Sequence, residues 1–238
     1  MFDLANLNLR LCLLCDQEIT HKVSWKNVLM QEPEMLICVE CFGKLDPISG
    51  ELCQICSRVL SAEFRRDTLC LDCHRWEQDP KWQGFLTENR SLFHYNDFIK
   101  ESIATFKYRG DYAIAEAFSS FIKDALPKLA FDSIAIIPLS SERLLERGFN
   151  QAEALVVTAG ETCIQPLTRI HSEKQSKKSR RDRINLPQVF QITDPELVAG
   201  KKILLLDDIY TTGSTLRHAA KALKLAGATE IRSLTLAR

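Results

Sequence analysis

KKILLLDDIYTTGST, residues 201–215, is the stretch that decides the architecture of the chain. The aliphatic run 203–206 offers no polar face, the pattern of a strand covered on both sides in a parallel sheet flanked by helices. It ends in two adjacent acids and passes through a short loop into the helical stretch LRHAAKALKLAG. Open sheets of this kind bind ligands in the crevice outside the carboxyl ends of their strands, so at least one of Asp207 and Asp208 is expected to face that crevice. An unpartnered carboxylate pair would repel and resist desolvation, whereas ribose hydroxyls or a hard divalent cation would satisfy it. Thr211, Thr212, Gly213, Ser214 and Thr215 then form a hydroxyl-rich turn at a helix N-terminus, a concavity suited to phosphate. Gly213 permits a positive φ or a close phosphate approach. Acids and turn together fit a phosphorylated ribose; the alternative is a plain strand end followed by a helix cap. The glycine and lysine spacing of a Walker loop is missing, as is a G-x-G-x-x-G after a strand.

Outward from this segment, residues 97–238 alternate helical and strand patterns, which implies an α/β fold with a parallel sheet and helices on both faces. Asp97 is expected to cap a helix running to about Tyr108, with Ile99, Ile103 and Phe106 on one stripe. Residues 112–125 repeat that pattern. SIAIIP, 133–138, reads as a buried strand ended by its proline. A helix starting at Asn150 or the turn before it runs through QAEALVVTA and closes at Gly160. EIRSLTLA, 230–237, supplies the last strand. The polar run 171–188 lacks periodicity and reads as a mobile excursion. Residues 81–96 make a linker containing a short strand, SLFHY, and residues 1–80 form a separate small region.

That small region holds eight of the nine cysteines as four C-x-x-C pairs: Cys12 with Cys15, Cys38 with Cys41, Cys53 with Cys56, and Cys70 with Cys73. In a reducing compartment such spacing favours metal over disulfides. Two pairs complete a closed tetrahedral zinc site, so two structural zinc ions are expected. Sequential pairing is the preferred reading; interleaving satisfies the same spacing. His21 and His74 are spare nitrogen ligands, and Cys163 reads as a buried thiol. With few aliphatics between its pairs, this region should owe its fold to zinc.

The chain is 45% apolar and 26% charged, with 31 basic and 31 acidic residues, so no global charge selects a partner. Residues 1–85 are acidic on balance and residues 86–238 basic, which confines any attraction for polyanions to the second part. The N-terminal residues lack a secretory pattern and no stretch approaches a membrane span. No membrane insertion and a cytoplasmic location are therefore expected.

Further motifs accompany the acidic-pair loop: FKYRGD at 106–111, IIPLSSERLLERGFNQA at 136–152 and KQSKKSRRDR at 174–183. LLLDDIYTTGST, 204–215, resembles the signature of the type I phosphoribosyltransferases. The whole set, behind paired cysteines, resembles the ComF family of late competence proteins, which also includes GntX-like proteins. The resemblance implies a type I phosphoribosyltransferase-like domain at 97–238 behind a double zinc-ribbon-like domain at 1–80, with a role in natural competence, DNA uptake and recombination. It implies phosphoribosyl pyrophosphate as donor substrate, bound with magnesium, and leaves the acceptor undefined. Asp207 and Asp208 would be the catalytic pair on the ribose hydroxyls, with 211–215 around the 5′-phosphate. Pro138, Leu139, Ser140 and Ser141 take the position of the family's pyrophosphate loop, and Lys107 that of a second pyrophosphate contact. The 171–188 excursion resembles the loop that closes over the donor, bringing Lys174, Gln175 and Arg183 to the leaving pyrophosphate.

Arg143 and Arg147, four apart, should share one side of a helical turn, where forked donors suit phosphate oxygens. On a merely solvated helix, Glu142 and Glu146 would be their partners. The cations of 174–183 would also track single-stranded DNA. That leaves open a non-catalytic role through nucleic acid or through competence and recombination proteins. No general base stands out: His171 falls in the excursion and His218 on the helix after TTGST.

Overall fold

The aliphatic run at 203–206 lies in the central strand of a five-stranded, wholly parallel sheet. The computed structural model describes residues 10–19, 36–170 and 189–238. In chain order its strands are β1 (Arg65–Arg66), β2 (Leu69–Cys70), β3 (Glu88–Phe93), β4 (Ser133–Ile136), β5 (Cys163–Ile164), β6 (Leu167–Arg169), β7 (Phe190–Ile192), β8 (Lys202–Ile209) and β9 (Glu230–Ala237). Its α-helices are α1 (Val39–Lys44), α2 (Leu71–Gln78), α3 (Asp97–Tyr108), α4 (Ala113–Ala125), α5 (Ser141–Arg147), α6 (Gln151–Thr158) and α7 (Ser214–Leu225). The sheet order is β3-β9-β8-β4-β5, with Leu204 of β8 opposite Ile134 of β4 and Arg232 of β9.

Strand parity divides the core in two. Leu204, Leu206, Leu234, Leu236, Ile134 and Ile136 pack with the apolar stripes of α3, α4 and α6. Their neighbours Ile203, Leu205, Ile231, Ala135 and Ile137 pack with α7. Each such leucine or isoleucine side chain contributes about 1.5–3 kcal/mol by leaving water. The two cysteine modules divide in the same way: Cys12, Cys38 and Cys41 join the α3/α4/α6 side, whereas Cys53, Cys56, Cys70 and Cys73 join the α7 side.

Several boundaries differ from the sequence expectation. The cap of α3 is Asn96, whose side chain accepts from the Ile99 N–H at 2.9 Å; Asp97 sits in the first turn, where its charge suits the helix dipole. The strand expected at SLFHY begins earlier, at Glu88, and is an edge strand paired in parallel with β9. Its polar residues hid it. Asn89 and Ser91 are buried because they bond Ser233 and Thr235 on β9, at 2.8 Å in each case. The second cysteine module shields this edge, with the Asn89 N–H donating to the Ile55 carbonyl at 2.5 Å and the Ser57 hydroxyl to the Asn89 carbonyl at 2.6 Å. Strands β5, β6 and β7 had no counterpart in the sequence reading. The last two form an antiparallel ladder, Arg169 opposite Phe190, at the two ends of the 171–188 segment. That segment, with the expected excursion and Lys174, Gln175 and Arg183, lies outside the described residues, as does His21. Among the described residues no helix is long and apolar enough to cross a membrane.

Candidate functional site: an acidic pair, a glycine loop and a cluster of cations

Strand β8 delivers Asp207 and Asp208 to the carboxyl end of the sheet, and the next turn delivers the loop 211–215. Asp208 is buried and its carboxylate pairs with the Lys107 ammonium at 2.5 Å, from the last turn of α3. Asp207 accepts from the Asp208 N–H at 3.0 Å. Burial and the adjacent Asp208 charge push the Asp207 carboxyl up to about 7, against the opposing pull of Lys107 and Arg169. Two neighbouring acids with one held near neutrality form a site that gains from a cation or a polyhydroxyl ligand.

The glycine of the loop is dictated by space as well as by backbone. Gly213 has φ +76°, and a Cβ there would lie 2.1 Å from the Tyr210 hydroxyl. Tyr210 is buried beneath the loop, and its hydroxyl has no hydrogen-bond partner among the described residues. Immediately after Gly213 the twelve-residue α7 begins, so its unpaired first-turn N–H groups open at the loop that follows the acidic pair. Thr212 Oγ1 accepts from the Ser214 N–H at 3.4 Å.

The loop after β4 lies at the same end of the sheet. Ser140 caps α5 by accepting from the Arg143 N–H at 3.3 Å. Asn150 caps α6 and donates its amide to the Ile137 carbonyl at 2.9 Å, so the start of α6 holds the segment leading into Pro138 and Leu139. Arg147 donates to the Gln151 side chain at 2.9 Å, and Gln151 in turn donates to the Phe106 carbonyl at 3.5 Å, beside Lys107. Among the described residues neither Arg143 nor Arg147 forms an ion pair with Glu142 or Glu146, and no residue of α5 is buried.

A fourth cation joins them that sequence reasoning missed. Arg169, at the end of β6, has its pKa lowered by burial and by Arg143, and lies in the field of Asp207 and Arg147 as well. Its guanidinium also stands 5.6 Å over the Phe190 ring. No local pattern marked it, because a three-residue strand before an aperiodic polar run carries no period to read. Lys107 lies against Asp208, and Arg169 feels the charges of Asp207, Arg143 and Arg147, so cations and acids meet at this end of the sheet.

The cysteines close into two four-thiol groups with sequential pairing: Cys12, Cys15, Cys38 and Cys41, and Cys53, Cys56, Cys70 and Cys73. Within each group the sulfurs lie within 4.8 Å of one another. Backbone N–H groups of Cys38 and Cys70 donate to Cys12 and Cys53 sulfur at 3.3 and 3.2 Å. In the second group, contacts with Cys56, Cys70 and Cys73 hold the Cys53 thiol far below its usual pKa and contacts with Cys53 drive Cys73 far above it. Four buried sulfurs cannot all ionise without a central cation, so the donor set, its size and its N–H···S bonds fit tetrahedral zinc. His74 belongs to neither group, and His218 packs edge-on against Trp82 at 4.6 Å. Cys163 is half-buried in β5.

A family model described as the phosphoribosyl transferase domain matches residues 156–238. The chain is 38% identical over 232 residues to the competence protein ComFC of Bacillus subtilis (strain 168), covering 96% of this chain and 95% of that protein. It is 32% identical over 228 residues to ComFC of Streptococcus pneumoniae (strain ATCC BAA-255 / R6), covering 95% and 99%. Similarity extends to the DNA utilization protein YhgH of Escherichia coli (strain K12), at 27% identity over 221 residues, 79% of this chain and 90% of that one.

Proposed function

Because the chain belongs to the ComF family of competence proteins, we propose that it binds phosphoribosyl pyrophosphate with magnesium at the ends of β4 and β8 and transfers the phosphoribosyl group to a nitrogen acceptor. The setting of that chemistry is cytoplasmic handling of DNA in natural competence and recombination.

The observation that carries the reading is the joint placement of Asp207, Asp208 and Lys107 beside the Gly213 loop. Residues 211–215 and the first turn of α7 hold the 5′-phosphate through N–H groups and hydroxyls. The acidic pair takes the ribose 2′ and 3′ hydroxyls and stabilises the positive charge that develops on the ring. Arg143, Arg147 and Arg169 receive the pyrophosphate, whose oxygens suit their forked donors. Asp207 and Asp208 would stand beside a bound magnesium ion, which would supply neutralisation of the charge on the leaving group. The acceptor nitrogen supplies the electron pair of the new C–N bond, the anomeric C–O bond breaks with its pair on pyrophosphate, and the nitrogen sheds its proton to solvent. Zinc in the two thiol groups is structural. Lys174, Gln175 and Arg183 are assigned to the leaving pyrophosphate.

Calorimetry with phosphoribosyl pyrophosphate, with and without magnesium, tests the donor site. Binding that needs magnesium and vanishes in the Asp207→Asn, Asp208→Asn variant is the expected result. Equal binding by native and variant protein, or none by a folded native chain, would remove the donor reading. A non-catalytic role through single-stranded DNA is favoured by the names of the relatives and by the cations of 174–183. It predicts DNA affinity that falls steeply with salt and with replacement of Lys177, Lys178, Arg180 and Arg181.

A further inference from the structure

The second thiol group and the phosphate loop are joined by a short chain of contacts through Arg217 and Trp76. Arg217 lies one turn into α7 and is fully buried, with 0% of its surface exposed. Its Nη1 pairs with Glu77 at 2.7 Å and its Nη2 reaches Cys73 Sγ at 3.9 Å. The Trp76 ring lies 5.2 Å from the same guanidinium, and the Trp76 indole N–H donates to the Thr212 carbonyl at 3.2 Å. Cys73, Trp76 and Glu77 all belong to α2, which starts directly after Cys70. From the other side, Arg238 donates to the Cys56 carbonyl and stands 5.0 Å from the ring of Tyr210, the residue beneath Gly213. Among the described residues no such route runs from the first thiol group: it packs into the core on the opposite face of the sheet, where Phe42 stacks on Phe121 of α4.

We propose that Arg217 is a positioning residue through which zinc in the second thiol group, and not in the first, holds the phosphate loop in its binding conformation. A buried guanidinium needs every partner it has, since removing one leaves a charge without compensation. A metal held by Cys53, Cys56, Cys70 and Cys73 fixes the start of α2, and α2 places Glu77 and Cys73 on Arg217 and Trp76 on Thr212. When that metal is lost, α2 loses its anchor, Arg217 loses the sulfur and the carboxylate together, and the loop loses its indole donor. The second module therefore sets phosphate affinity without touching the phosphate. The affinity half of this inference rests on the donor reading above; the effect on loop conformation does not.

The test uses the full zinc-loaded chain and three variants, with zinc counted in each. Hydrogen exchange is followed at residues 211–217 and at α3, and ribose 5-phosphate serves as the probe of the loop. Cys53→Ser should lose one zinc and Arg217→Met none, yet both should speed exchange at 211–217 at least tenfold and weaken ribose 5-phosphate binding. Cys15→Ser should lose one zinc and leave 211–217 unchanged. Arg217→Met with two zinc ions and native protection of the loop would overturn the proposal even if Cys53→Ser failed to fold. Equal loop exchange in Cys53→Ser and Cys15→Ser would overturn it as well. If the exchange contrast appears while native protein ignores ribose 5-phosphate, the coupling stands and the donor reading falls.

Discussion

Replacing Gly213 with alanine separates a loop shaped for a ligand from an ordinary helix start. The new methyl would stand 2.1 Å from the Tyr210 hydroxyl and 2.4 Å from its Cζ, in a backbone with φ +76°. Left-handed backbone costs an L-residue about 1–2 kcal/mol, and forcing extra volume into a packed site about 1–3 kcal/mol. Tyr210 has little room to yield, being 3% exposed with Arg238 against its ring, so the loop must move outward. The sum, about 2–5 kcal/mol, corresponds to a fall in Tm of roughly 4–20 °C for a chain of this size. Gly213→Asn removes part of the backbone cost, since asparagine tolerates this region, and keeps the collision. It should therefore recover only a minor part of the loss. Thermal unfolding of zinc-loaded protein measures the stability, and calorimetry with phosphoribosyl pyrophosphate measures the loop. An alanine variant that melts with the native protein and binds the donor equally would refute the steric argument.

The remaining predictions concern charge. Between about pH 4 and 7 the native Asp207 retains a proton that the unfolded chain has released, so its contribution to stability is present at low pH and is lost as pH rises through about 7. Donor binding that needs the ionised pair runs the other way: affinity should rise from pH 6 to pH 8, and Asp207→Asn should flatten that part of the profile. An unchanged profile in the variant would show that Asp207 is not the titrating group. Arg169→Gln should weaken donor binding by roughly tenfold to a hundredfold, the range of one charge-assisted hydrogen bond, in calorimetry against native protein. No loss would exclude Arg169 from the pyrophosphate side. Tyr210→Phe removes a buried hydroxyl that has no partner among the described residues, and should leave Tm unchanged or raise it; a marked fall in Tm would reveal a bond to that hydroxyl.

What the sequence disclosed follows from how local each cause is. The run 203–206, the two acids and TTGST carry their reading within fifteen residues, and β8, the loop and α7 appear in that order. The C-x-x-C spacing made the thiol groups legible, and the closure into sequential sets emerged as the preferred pairing. Strand β3 was half hidden because Asn89 and Ser91 are buried polar residues satisfied by partners more than 140 positions away. Arg169 and Arg217 were invisible for a related reason. Each is an arginine whose role is fixed by residues distant in sequence, Asp207 and Arg143 for one and Glu77 and Cys73 for the other. The cap on α3 moved from Asp97 to Asn96 because either side chain can cap and only the backbone path chooses between them.

A crystal structure of the zinc-loaded chain grown with phosphoribosyl pyrophosphate and magnesium tests the donor site most directly. The predicted result is the 5′-phosphate against the N–H groups of 212–215, the ribose hydroxyls on Asp207 and Asp208, and the pyrophosphate facing Arg143, Arg147 and Arg169. A donor bound elsewhere, or an empty loop at saturating donor and magnesium, would contradict it.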